Sequence, residues 1–120
     1  MTIWSRIVAI IGTEDDDDVF KALADGGRRQ LLDALFSRDG QSLGELCEVL
    51  PSMTRFGVMK HLAVLEAARL VVAHKVGRAK LHYLNPVPIQ EIHERWISKY
   101  AAPTVEAMVG LRRQLETATA

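Results

Sequence analysis

The chain has 120 residues, enough for one domain with one core and too few for two ordinary ones. Nearly half of it is apolar, a quarter is charged and the formal charge is zero, the balance of a soluble globular protein. Its single cysteine excludes an intrachain disulfide and makes a reducing compartment the default. The first twelve residues, MTIWSRIVAIIG, hold an apolar run from Ile7 to Ile11. That run is too short to span a bilayer and short for a signal-peptide core, and no small-residue cleavage pattern follows it. The expectation is a cytoplasmic protein without membrane attachment. Residues 1–15 read as an N-terminal extension, either an extra strand or helix on the body or a loosely held tail. Glu14 to Asp18 are five consecutive acids. They suit a solvated turn and a helix start, where negative charge is favoured, and on a helix they fan out rather than converge on a metal.

A helix is predicted from about Asp16, with Val19, Phe20, Leu23 and Ala24 facing inward. Asp25-Gly26-Gly27 breaks it, and Asp25 or a glycine starts the next helix. That helix, Arg28 to Ser37, places Leu31, Leu32, Leu35 and Phe36 on one side. Arg38-Asp39-Gly40 closes it with a glycine suited to the left-handed conformation. Ser42-Leu43-Gly44-Glu45 is a capping-box pattern opening a short helix that presents Leu43, Leu46, Cys47 and Leu50. Pro51-Ser52 then turns the chain into a helix capped by Thr54, whose hydroxyl can accept a first-turn amide. Along it Val58, Leu62 and Leu65 recur at i, i+4 and i+7, one helical face. Two helices joined by a tight turn, the second basic at its start, make a helix-turn-helix.

After Leu70 the pattern becomes β-rich, breaks at Gly77-Arg78 and resumes through Leu81, Tyr83 and Leu84, which predicts a hairpin. Between Ser52 and Leu84 lie Arg55, Lys60, Arg69, Lys75, Arg78 and Lys80 against one acid, Glu66, a local net charge of +5. The zero total therefore conceals a strong asymmetry, and local field decides where a phosphate backbone docks. A helix and a β-turn sharing this charge suit duplex DNA. Asn85-Pro86-Val87-Pro88 punctuates the chain, with Pro88 placed to begin a helix. That helix carries Ile89, Ile92, Trp96 and Tyr100, and a further segment after Pro103 carries Val105, Met108, Leu111 and Leu115. This long apolar stripe is a candidate subunit interface; the alternative is that it folds back on its own core.

The strings Phe20-Lys-Ala-Leu-Ala-Asp, Arg28-Arg-Gln-Leu-Leu, Gly44-Glu-Leu, Met53-Thr-Arg-Phe-Gly-Val-Met-Lys-His-Leu and Val64-Leu-Glu-Ala-Ala-Arg-Leu-Val together resemble the ArsR-type winged helix-turn-helix repressors. The likeness covers roughly residues 19–102, and His61-Leu62 with Val64-Leu65 is its most specific part. LHYLNPVPIQEIHERWISKY is further similar to a branch of that family often lacking recognised metal ligands. The resemblance implies a mainly α fold with a small β-hairpin wing. It also implies a homodimer on double-stranded operator DNA that blocks transcription, with a small-molecule inducer left open. Residues 16–102 would be the DNA-binding domain and 103–120 a C-terminal helical extension for dimerisation.

On this reading the Thr54-capped helix enters a major groove, where Arg55, Lys60 and His61 reach base edges or phosphates. Arg55 is the candidate for reading guanine, since its fork can pair O6 and N7, while Lys60 suits a phosphate. Phe56 and Met59 either touch thymine methyls or pack on the protein. His61 either meets DNA or braces the helix within the fold. The wing, with Lys75, Arg78 and Lys80 around Gly77, straddles a backbone or places Arg78 in the minor groove. Dimer contacts are expected from Phe20, Ile89, Ile92, Trp96, Tyr100, Val105 and Met108.

Three other functions compete with DNA-binding repression for this sequence. A metal- or thiol-responsive repressor would use Cys47 and His93. However, the two positions where metal-binding relatives carry cysteines hold Ser42 and Gly44, and Cys47 falls in an apolar stripe that suits a buried core thiol. Glu91-x-His93 echoes half of another family site, but Thr104 and Ala107 offer no ligand for the rest. His74 and His82 lie on the two wing strands in a register the sequence leaves open. No metal or other cofactor is expected. An enzyme lacks support: no glycine-rich phosphate loop, Cys-His motif or paired carboxylates occur outside the acid run. A protein-interaction module on the same fold is the third alternative.

Overall fold

The computed structural model describes residues 16–100 and 102–119, so the expected extension 1–15 lies outside the described residues. The chain divides just after Ile89 into two compact units. In the first, helix α1 spans 16–23, α2 Gly26–Ser37, α3 Leu43–Val49 and α4 Arg55–Ala67. Strand β1 is Gln41–Ser42, β2 Val71–Val76 and β3 Ala79–Leu84, forming an antiparallel sheet in the order β1-β3-β2. Val19 and Ala22 of α1, Leu31 and Leu35 of α2, Leu46 of α3 and Val58 and Leu65 of α4 make the core with Leu70. The expected faces of α2 and α4 are therefore the buried ones, with one exception. Phe36 lies at the edge of the α2 arc, on its last turn, and is 81% exposed.

Local signals position the helix-turn-helix. Asp25 caps α2 by accepting the Arg28 amide at 3.1 Å. The Ser42 hydroxyl accepts the Glu45 amide, and the Glu45 carboxylate accepts the Ser42 amide, each at 3.2 Å, which closes the capping box. Arg38 also pairs with Glu45. That guanidinium, then the Ser42 amide, hold the Glu45 carboxyl below its ordinary 4.5. A carboxylate depressed in the fold adds stability above its unfolded pKa and loses it as pH falls through the lower folded value. Urea midpoints are therefore expected to fall with acid below about pH 4.5, and Glu45→Gln should flatten that limb. An unaltered slope in the variant would show that the Glu45 charge contributes nothing to that limb.

Strand β1 was not foreseen. Buried Gln41 donates its side-chain amide to Ala34 O (3.0 Å) and Arg38 O (2.7 Å). The buried His82 ring places Nδ1 2.9 Å from Gln41 O, and the Gly40 amide donates to His82 O at 2.9 Å. Gly40 holds φ of 75°, the left-handed turn that lets the chain leave α2 and enter the sheet. The hairpin turns at Gly77-Arg78, with Gly77 at φ 63°. Its register pairs Ala73 with His82 and His74 with Leu81, so the two histidines point to opposite faces of the sheet.

Helix α5, Val87–Arg95, starts one residue before Pro88. In the second unit it gives way to a 3₁₀ turn, Ile97–Tyr100, and then α6, Ala102–Thr119. The continuous helix expected through Tyr100 is thus broken after Arg95, and the Ser98 hydroxyl donates to Glu94 O (2.8 Å) at the break. Trp96 and Tyr100 meet edge to face at 5.6 Å, with the Lys99 ammonium over both rings. Val105, Met108, Leu111 and Leu115 are all exposed along α6. Of the expected interface residues, Ile92 is 3% exposed, whereas Phe20, Trp96 and Tyr100 are exposed. Among the described residues, no helix is long and apolar enough to cross a membrane.

Candidate nucleic-acid interface

Thr54 starts α4 as expected, accepting the Gly57 amide at 3.0 Å. This cap and the three buried positions fix which way the helix faces. Val58, Leu62 and Leu65 point to the core, which turns Arg55, Phe56, Met59 and Lys60 outward. Lys60 lies over the Phe56 ring, 5.1 Å from its centroid, one turn along the helix. The pair forms an exposed cationic ridge with an apolar base.

Beside that ridge α4, the wing and the start of α3 enclose an open groove of about 600 Å³. Arg55 and Met59 line it from α4, Arg78 and Lys80 from the wing, and Leu43 and Leu62 contribute apolar surface. Four of the expected contact residues are therefore gathered on one surface. Thr54, Phe56, Lys60 and Lys75 are exposed outside this lining. Arg55 and Arg78 come from segments far apart in sequence, so their convergence is a product of the fold.

The electrostatics of the wing are unfavourable in isolation. Lys75 and Lys80 are directly paired across the hairpin, an arrangement that destabilises the strands when both are charged. Lys80 is partly offset by Glu66, 3.7 Å away, and one oxygen of that carboxylate is buried without a hydrogen bond. Among the described residues, Arg55, Lys75 and Arg78 have no ion-pair partner. Unneutralised cations around a groove with an apolar floor favour a ligand with closely spaced negative charge.

His61 is not among the groove residues. Its side chain is only 14% exposed and faces the other way, with Nδ1 3.3 Å from Arg28 Nη1 and Nε2 3.8 Å from Asp25 Oδ1. Of the two roles weighed for it, the geometry is that of a brace. Ser42, Gly44 and Glu66 line the groove and were missed as site residues. Glu66 did carry a signal, as the lone acid in the basic stretch.

Cys47 is half-buried on α3 rather than a fully buried thiol. On α5, Glu91 pairs with Arg95 at 3.9 Å, and His93 is exposed. Among the described residues, no three His, Cys, Asp or Glu side chains converge as a metal site would require.

No protein-family model matches the chain. Among individual proteins, it is 38% identical over 86 residues to the uncharacterized HTH-type transcriptional regulator YuzN of Bacillus subtilis, covering 68% of this chain and 94% of that protein. It is 29% identical over 75 residues to the transcriptional repressor SdpR of the same organism, covering 62% of this chain and 81% of that one. Among solved structures, an ArsR-like transcriptional regulator from Rhodococcus sp. RHA1 superposes with a TM-score of 0.64 at 26% identity, over 87% of this chain and 94% of that one. The likeness extends through nearly the whole of YuzN and through the helix-turn-helix and wing that build the groove. The chain therefore belongs to the ArsR-type winged helix-turn-helix family of DNA-binding transcriptional regulators.

Proposed function

We propose that the protein is a homodimeric, sequence-specific repressor acting in the cytoplasm on the operator of its own or a neighbouring operon. Arg55 at the start of α4 reads a guanine in the major groove, and Met59 and Phe56 offer apolar contact to thymine methyls. Lys60 holds a phosphate. Arg78 and Lys80 follow the flanking backbone with Lys75, as a wing does beside a recognition helix. The observation that carries this reading is the shared groove, which has Arg55 on one wall and Arg78 and Lys80 on the other. Residues 16–102 bind DNA, and 103–120 pair with the same segment of a second copy. A two-fold dimer presents two such grooves and so favours a pseudo-palindromic site. Repression follows where that site overlaps a promoter, and the likeness to SdpR, a repressor, supports this sense of regulation.

The wing supplies a direct test. Each phosphate neutralised contributes about 0.9 to the slope of log affinity against log salt. Lys75→Ala is expected to lower that slope by about one contact per subunit and to weaken cognate and scrambled duplexes equally. Fluorescence anisotropy across a salt series measures both. A slope unchanged from wild type would remove Lys75 from the interface.

A further inference from the structure

We infer that Arg28, together with Asp25 and His61, is a positioning cluster that sets where the DNA-facing helix α4 sits. The inference rests on the DNA-binding reading of α4, to which these residues contribute no contact of their own.

At the end of α1 the last carbonyls of the helix have no partner within it. The Arg28 side chain reaches back to two of them, with Nε donating to Ala22 O at 2.8 Å and Nη2 to Lys21 O at 2.9 Å. Its remaining nitrogen, Nη1, lies 3.3 Å from His61 Nδ1 in the middle of α4. A guanidinium is planar and rigid, so two bonds to α1 fix the direction in which the third is offered. The Arg28 backbone amide is meanwhile held by Asp25 Oδ1 at 3.1 Å, and the same oxygen lies 3.8 Å from His61 Nε2. The imidazole thus lies between the Arg28 guanidinium at Nδ1 and the Asp25 carboxylate at Nε2, so both ring nitrogens face groups at the start of α2. Gly27 makes the close approach possible. A Cβ there would stand 3.1 Å from Asp25 Oδ1 and 3.4 Å from His61 Nε2.

Apolar burial alone does not give this precision. Val58, Leu62 and Leu65 hold α4 to the core by a force that is strong but not directional. Reading a base edge demands placement to within about 0.5 Å. The cluster supplies direction, because it joins α1, the start of α2 and α4 through one rigid group. Arg28 and His61 are positioning residues: they act on DNA through the seat of Arg55.

The test uses the full chain, a duplex from the region upstream of its gene and a scrambled duplex. Arg28→Ala and His61→Ala should each weaken upstream-duplex binding about tenfold, and the double variant should be no worse than either, the signature of two groups acting as one. His61→Asn, whose Oδ1 stands where Nδ1 stood, should remain within about threefold of wild type. Additive losses, or an Asn variant as weak as the Ala variant, would overturn the inference. Hydrogen exchange supplies a readout independent of DNA. Arg28→Ala should speed exchange of α4 amides and leave those of β2 and β3 unchanged, whereas uniform acceleration would mean that the cluster serves only global stability. If wild type does not distinguish the duplexes, the DNA reading fails and exchange alone decides the seat. If Arg28→Ala does not fold, His61→Ala and His61→Asn carry the same comparisons.

Discussion

Arg55→Ala is expected to erase the preference for operator over scrambled duplex while leaving a salt-sensitive residual affinity. Arg55 stands at the first position of α4, exposed and free of ion pairs among the described residues, with its neighbours Thr54 and Gly57 fixed by the cap. A bidentate arginine–guanine pair is worth roughly 1–3 kcal/mol of discrimination, so a tenfold to hundredfold loss of specificity is the scale to look for. The wing cations and Lys60 remain in the variant, and they hold phosphate rather than bases. Competition binding with the two duplexes separates the effects. Equal losses on both would make Arg55 another phosphate contact and move base reading elsewhere on α4.

The second large effect is expected at the other end of the chain. Trp96→Glu should convert the dimer to monomer at micromolar concentration. Trp96, Tyr100, Val105, Met108, Leu111 and Leu115 are exposed apolar side chains that recur through the 3₁₀ turn and α6, a concentration that single chains rarely leave in water. Aromatic anchors dominate interfaces, and placing a carboxylate in a desolvated contact costs about 2 kcal/mol or more, roughly a thirtyfold weaker association. Sedimentation velocity gives the oligomeric state, and circular dichroism confirms that the helices persist. A Trp96→Glu protein that stays dimeric would place the subunit contact on other elements.

The readable parts of the fold were those specified by neighbours in sequence. Thr54, the Ser42–Glu45 box and the i, i+4, i+7 pattern of Val58, Leu62 and Leu65 each depend on residues within one or two turns, and all three stand as expected. The hairpin break at Gly77 is equally local. What escaped depends on partners far along the chain. Strand β1 is two residues long and exists because β3 pairs with it some forty residues later, with His82 and Gln41 sealing the join. Phe36 has the spacing of a core residue, but spacing defines a direction and not whether another element lies there. The same holds for Ile92, which shares a stripe with Trp96 yet is buried.

The site shows the same division. A basic stretch with one acid pointed to the right segments, and Arg55, Met59, Arg78 and Lys80 do share a groove. His61 lies in the same basic helix, and only the fold shows that its ring turns inward to Arg28, which precedes it by more than thirty residues. Periodicity could have hinted at this. His61 lies next to buried Leu62 and one turn before Leu65, at the border of the inward face.

The most direct test of the account is a gel-shift titration of the protein on its own upstream DNA against excess scrambled competitor, at roughly 50 and 200 mM salt. A repressor of this kind forms a discrete complex that survives the competitor at both salt concentrations, with lower affinity at the higher one. Binding that the competitor removes at low salt and that vanishes at high salt, on this duplex and on a library of genomic fragments alike, would contradict that role.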